Sequence, residues 1–225
     1  MPLLGVIFDF DGVLADTEPL HLRAYQDVLA DSRMSLDRTA YYERYLGFDD
    51  VGVFAAAAAD SGVSVSPADL EDLIESKGQR FLELLGTEDV LFPGARACVE
   101  RLSADLALGV ASGALHSEID LILTRADLRR HFICIVAADD VERPKPAPDS
   151  YTRAIELLGA GLGQQVSPSS VVAVEDSRWG IEAAAAASIP CVAVTHTYPA
   201  AALGRAGRIL PDLSSIDLAL LAELC

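Results

Sequence analysis

The chain has 225 residues, 51% hydrophobic and 23% charged; that is enough for one large domain with a smaller one inserted, and no apolar run reaches the length of a membrane span. Its 34 acidic residues against 17 basic ones leave a formal net charge of −17, which argues against nucleic acid and membrane as partners and obliges any small anionic ligand to find local positive potential. Met1-Pro2-Leu3-Leu4 carries no basic leader, and Cys98, Cys134, Cys191 and Cys225 show no metal-type spacing, so the expected setting is a reducing cytoplasm with the thiols packed as small hydrophobes.

In chain order, the first element is an apolar strand over residues 3–9, ending in Asp9-Phe10-Asp11-Gly12. A strand burying Val6, Ile7 and Phe8 has no use for carboxylates at its tip unless a cation sits there. Two aspartates one residue apart can offer a hard cation such as Mg²⁺ one side chain and one backbone carbonyl. The second side chain then stays free for proton transfer, an arrangement suited to carboxylate attack on phosphorus.

From about Pro19 to Phe92 only helical patterns follow, over 21–30, 38–46, 50–60 and 66–85, the last as one long helix or two short ones. Ser66-Pro67-Ala68-Asp69 has the form of a helix start, with serine as N-cap and proline in the first turn. A crossover between parallel strands needs one helix, so several point to an insert. The alanine runs 55–59 and 183–187 read as close helix packing. Phe92-Pro93-Gly94 is a turn that returns the chain to the main domain.

Beyond it, strands over 106–112, 134–138, 171–175 and 191–195 alternate with helices over 115–126, 148–158, 177–187 and 215–224. The strands are near-continuous apolar runs, the mark of a parallel sheet covered on both faces. The expected fold is therefore α/β: a doubly wound, Rossmann-like parallel sheet over 1–16 and 93–225, with an all-helical cap domain over 17–92.

In such sheets ligands bind beyond the carboxyl ends of the strands. The first strand ends at Asp9 and Asp11, the second in Ser112-Gly113, and the third is followed by Lys145-Pro146-Ala147-Pro148-Asp149. The fourth ends in Glu175-Asp176-Ser177. Singly, each has a plain structural reading: a turn, a strand–helix junction, a solvated charge, an N-cap cluster. Together and in this order they form a catalytic constellation. Asp9 is the candidate nucleophile, and Asp11 the group that protonates the leaving oxygen and then activates water. Mg²⁺ would lie among Asp9, the Asp11 carbonyl and Asp176, with Glu175 supporting the metal shell. Ser112 and the Gly113 N–H would hold phosphoryl oxygens, and Lys145 would neutralise nucleophile and phosphate. Pro146 biases Lys145 to an extended conformation.

These motifs, Asp9-Phe10-Asp11-Gly12-Val13-Leu14, Ala111-Ser112-Gly113, Lys145-Pro146-Ala147-Pro148-Asp149 and Glu175-Asp176-Ser177, resemble those of the haloacid dehalogenase-like superfamily across the chain. The resemblance implies a Rossmann-like core, a flap after the first strand and Mg²⁺-dependent phosphotransfer through an aspartyl phosphate. Dehalogenation is disfavoured because those relatives lack the second aspartate, present here as Asp11. The insert is similar to the cap of the group holding phosphoglycolate phosphatases, sugar-phosphate phosphatases and β-phosphoglucomutases. Thr17-Glu18-Pro19-Leu20-His21 resembles the segment in which a histidine orients the proton-transfer aspartate; His21 has that role or a packing one. Glu18, His21, Arg44, Gly47 and Phe48 are the candidate substrate contacts of the cap.

Mutases carry a lysine before the cap glycine and an arginine after it, to grip a second phosphate. Here Leu46 and Asp50 stand near those places, and Arg44 is out of register. The resemblance thus favours a phosphatase acting on a small phosphorylated metabolite, as a monomer or weak homodimer, over a hexose-phosphate mutase. A phospho-accepting signalling module is disfavoured by length and by the helical insert, and a non-catalytic binding protein by the intact catalytic positions. Trp179 reads as a packing residue.

Overall fold

The computed structural model describes residues 2–30, 32–46 and 48–225. They divide into two compact units, residues 1–16 with 90–225 and residues 17–89.

The first unit is built on strands β1 (Gly5–Phe8), β2 (Ala107–Ala111), β3 (Phe132–Val136), β4 (Val171–Glu175), β5 (Cys191–Val194) and β6 (Arg208–Leu210), all parallel, in the order β3-β2-β1-β4-β5-β6. The order reverses direction between β1 and β4, and this is where an open α/β sheet leaves a crevice. The pairing Phe8↔Val174, continued by the Asp9 N–H to Val174 carbonyl bond of 2.9 Å, brings Asp9 beside Glu175. Val6, Ile7, Phe8, Val172, Ala173 and Val174 are all buried, which explains runs without alternation. Ile7, Ala173 and Val136 share one face with Tyr151 and Leu158 of α7 (Asp149–Leu162) and Ile181, Ala183 and Ala184 of α8 (Arg178–Ala186).

Two elements of this unit were not expected. Helix α5 (Ala95–Leu102) follows Gly94 directly. Its buried Ala95, Cys98, Val99 and Leu102 have helical spacing, but the stretch is short and the preceding Pro-Gly dominates the local reading. Strand β6 is three residues long and exists through its pairing with β5, so no local run marks it. Residues 90–92 also belong with this unit: the Asp16 N–H bonds the Val90 carbonyl at 2.7 Å and the Phe92 N–H the Leu14 carbonyl at 3.0 Å. The exit and return strands thereby form a short antiparallel ribbon.

The second unit holds α1 (Glu18–Leu29), α2 (Arg38–Ala40), α3 (Asp50–Asp60) and α4 (Pro67–Leu85). It has its own core, in which Leu22, Tyr25 and Leu29 meet Tyr41, Tyr45, Val53, Phe54, Ala57 and Ala58. The helix expected over 38–46 is a short α-turn that widens into a π-turn at Tyr41–Tyr45. The wider turn seats both Tyr41 and Tyr45 in the core. Ser66 accepts the Asp69 N–H at 3.2 Å and Pro67 opens α4, as the start pattern predicts. Asp49 is occupied as the N-cap of α3, accepting the Gly52 N–H at 2.8 Å.

Candidate active site

At the end of β1, Asp9 is buried, and its Oδ1 lies 2.9 Å from Lys145 Nζ. The same ammonium sits 2.6 Å from Glu175 Oε1. Lys145 lies in the loop between β3 and α7, and its peptide bond to Pro146 is cis.

Glu175 has 0% side-chain exposure and no spare oxygen. Its Oε1 accepts from Lys145 and from Tyr151 Oη at 3.0 Å. Its Oε2 accepts the backbone N–H groups of Asp176 and Ser177 at 3.1 and 3.2 Å, and Ser177 Oγ at 3.1 Å. Gly180 is required here, because a Cβ at that position would run into the Glu175 carboxylate. Ser177 in turn caps α8 by accepting the Gly180 N–H at 3.1 Å.

Asp176 completes the group. Among the described residues, the ligand atoms of Asp9, Glu175 and Asp176 lie within 4.8 Å of one another. The Asp11 carboxylate is not one of them. Burial, with Glu175 close by, pushes the Asp9 carboxyl above its ordinary value even though Lys145 pulls it down. Burial and the neighbouring Asp9 and Glu175 charges push Asp176 up as well. Burial opposes the charge on Lys145, but Asp9 and Glu175 hold its pKa above the usual value. Three buried acids against one lysine leave an excess of negative charge, which suits a hard divalent cation.

Gly12 closes the turn behind Asp11 at φ +78°, where only glycine avoids strain, and its N–H bonds the Ala15 carbonyl at 2.9 Å. Ser112 is buried at the end of β2, and its Oγ accepts the Ala114 N–H at 3.1 Å. The hydroxyl proton is therefore left to donate. Gly113 is exposed, with open space where a side chain would stand.

The residues expected to select substrate all lie on the helical unit, apart from Gly47, which is outside the described residues. Phe48 is 52% exposed. Glu18 accepts from Tyr41 Oη at 2.6 Å. Arg44 forms a forked pair with Asp60 at 2.8 and 3.2 Å, so it is spoken for. His21 stacks on Phe81, with ring centroids 3.9 Å apart, and its Nδ1 lies 2.9 Å from Lys77 Nζ.

Sequence reading missed Lys77. Its side chain is 5% exposed, pairs with Asp50 Oδ1 at 2.8 Å and lies over the rings of Tyr25 and Phe81. Tyr25 Oη donates to the same Asp50 oxygen at 2.5 Å. Burial, helped by Lys77, pushes His21 down to about 3, so the ring is neutral and its Nδ1 accepts from the ammonium. Lys77→Met is expected to cost about 2 kcal/mol of stability, read by urea denaturation. The cost stays below that of a fully buried pair because Asp50 is 31% exposed. In that variant His21 should titrate closer to its ordinary value by NMR; an unmoved titration would mean that Lys77 does not set it.

Two further features of the first unit also escape the sequence reading. Tyr151 is known as a Glu175 partner only from the fold. The Thr195-His196-Thr197 stretch, by contrast, follows β5 and obeys the same strand-end rule that located the other motifs. Trp179 is partly exposed, with Arg178 4.5 Å over its ring and Tyr198 at its edge.

Comparison with known proteins gives a consistent result. The sequence profile described as haloacid dehalogenase-like hydrolase matches residues 6–194. The chain is 31% identical over 241 aligned positions to protein CbbY of Rhodobacter capsulatus, covering 100% of both chains. It is 28% identical over 190 positions to the fructose-1-phosphate phosphatase YqaB of Escherichia coli, covering 84% of this chain and 95% of that one. Among solved structures, a mutant CbbY from Rhodobacter sphaeroides in complex with xylulose-(1,5)bisphosphate superposes with a TM-score of 0.81 at 27% identity, covering 97% of this chain and 99% of that one.

Proposed function

The chain belongs to the haloacid dehalogenase-like hydrolases, and on that premise we propose that it hydrolyses a small phosphomonoester, a sugar phosphate or a similar metabolite, through an aspartyl phosphate and with Mg²⁺ as cofactor. The observation that carries the reading is the buried cluster in which Lys145 bridges Asp9 and Glu175 beside Asp176. The names of the relatives support the substrate class.

Asp9 and Asp176, with the Asp11 carbonyl, would hold the ion, whose contribution when bound is to offset negative charge around the phosphoryl group. Asp9 attacks phosphorus, and the P–O bond to the leaving group breaks. Asp11 gives its proton to the departing oxygen, then takes one from the water that cleaves the acyl phosphate. Ser112 donates its free hydroxyl proton to a phosphoryl oxygen, aided by the Gly113 N–H. Lys145 neutralises charge shared by Asp9 and the phosphate. Glu175, with both oxygens in use, acts as the anchor that aims Lys145.

The helical unit serves as the specificity-determining cap, with Glu18, His21, Gly47 and Phe48 as its substrate contacts. Asp50 stands where a second phosphate would be gripped in a mutase, and its carboxylate is held by Lys77 and Tyr25. That supports hydrolysis over phosphate shuttling.

The test is phosphate release from a panel of sugar phosphates, phosphoglycolate and nucleotides. Release from a sugar phosphate with Mg²⁺, abolished by EDTA, is the expected outcome. Conversion of β-glucose 1-phosphate to glucose 6-phosphate only when the 1,6-bisphosphate is present, without phosphate release, would make the protein a mutase.

A further inference from the structure

The loop after β5 carries side chains that the proposed chemistry does not use. His196 Nδ1 lies 3.0 Å from the Gly12 carbonyl oxygen. A carbonyl has no proton to give, so Nδ1 is the donor. The imidazole is stacked on Phe92, with centroids 4.1 Å apart and planes 21° from parallel. Phe92 is itself tied to the Leu14 carbonyl. The next residue, Thr197, places its hydroxyl near the Asp176 carboxylate. A Cβ added at Gly12 would run into both the Asp176 carboxylate and Thr197 Oγ1, so the turn, the acid and the loop converge on one point.

These contacts join parts of the site that arise on different strands. The peptide before Gly12 is fixed by the Gly12 N–H to Ala15 carbonyl bond, and the peptide after it by His196. The Thr197 hydroxyl, beside the Asp176 carboxylate, is placed to set its rotation. Mg²⁺ demands near-octahedral oxygen geometry, and partners that orient its ligands therefore govern affinity.

We propose that His196 and Thr197 are positioning residues, which hold the Asp11–Gly12 turn and the Asp176 carboxylate in register for the divalent cation. The inference rests on the cation site proposed above.

The test is calorimetric titration of Mg²⁺ alone into the full-length wild type and into Asp176→Asn, Thr197→Val, Thr197→Ser, His196→Phe and His196→Asn. The wild type should bind, and Asp176→Asn should not. Thr197→Val should bind about tenfold more weakly, and Thr197→Ser, which keeps the hydroxyl, as wild type. His196→Phe keeps a stacking ring but loses the donor, and should weaken binding. His196→Asn, with an amide N–H near the place of Nδ1, should recover part of it. Thr197 is exposed, so its variants are expected to melt with the wild type. In turnover, Thr197→Val should regain its rate at saturating Mg²⁺. Wild-type affinity in both Thr197→Val and His196→Phe would overturn the inference while leaving the cation site standing. Absence of Mg²⁺ binding by the wild type, or undiminished binding by Asp176→Asn, would overturn the site itself and the inference with it.

Discussion

Asp9→Asn is expected to reduce Mg²⁺-dependent phosphate release by about 10⁴-fold or more, equivalent to about 5.5 kcal/mol of transition-state stabilisation. The amide cannot form the acyl phosphate, and nothing else at the end of β1 replaces it: the Asp11 carboxylate lies outside the buried group. The fold should survive. Burial has already pushed the Asp9 carboxyl above its usual range. A carboxyl with a raised native pKa contributes stability below its unfolded value and loses it as pH rises through the native one. At neutral pH the ionised Asp9 is thus a net burden on the metal-free protein, and the variant should melt at the same temperature or slightly higher. Calorimetric melting in EDTA checks this, alongside the release assay. Residual turnover above about 1% of wild type would remove Asp9 as the nucleophile.

Lys145→Met should fail on both counts. Among the described residues, the ammonium is the one cation between Asp9 and Glu175, with a side chain only 12% exposed. Methionine fills similar volume but leaves acids facing one another in a buried site. Breaking a buried pair by removing one partner costs about 3–5 kcal/mol. Glu175 keeps Tyr151, the Asp176 and Ser177 N–H groups and the Ser177 hydroxyl, which places the expected loss near the lower end, about 3 kcal/mol. Activity should fall about 10³-fold from lost charge stabilisation. Saturating Mg²⁺ should restore some stability, because it brings positive charge to the same acids, but not the rate. A variant as stable as wild type in EDTA would show that Lys145 does not hold the buried acids together.

Much of this was legible before any coordinates. Buried parallel strands show as apolar runs, and a polar residue that interrupts such a run at its carboxyl end stands out, as Asp9, Ser112 and Asp176 do. Helix starts were legible too, since Ser66 and Ser177 satisfy orphan N–H groups within their own turns. Helix α5 was readable by spacing but hidden behind Pro93-Gly94. Lys77 was not readable: on an isolated helix it is one more charged position, and only the packing of α4 on α1 buries it.

What the sequence by itself determined is therefore the α/β order, the helical insert and the set of residues at the strand ends, because each depends on period, punctuation and the cost of placing a charge at the tip of a buried strand. Tertiary structure decided the rest. The crossover between β1 and β4 brought Asp9 and Asp176 together, the enclosure of Glu175 made it a partner of Lys145, and the loop after β5 brought His196 and Thr197 to Gly12 and Asp176. These depend on distances between residues well separated along the chain, from Glu175 and Lys145, 30 positions apart, to Gly12 and His196, 184 apart. Such distances follow from how strands order themselves in a sheet, and no local pattern in a single sequence encodes them.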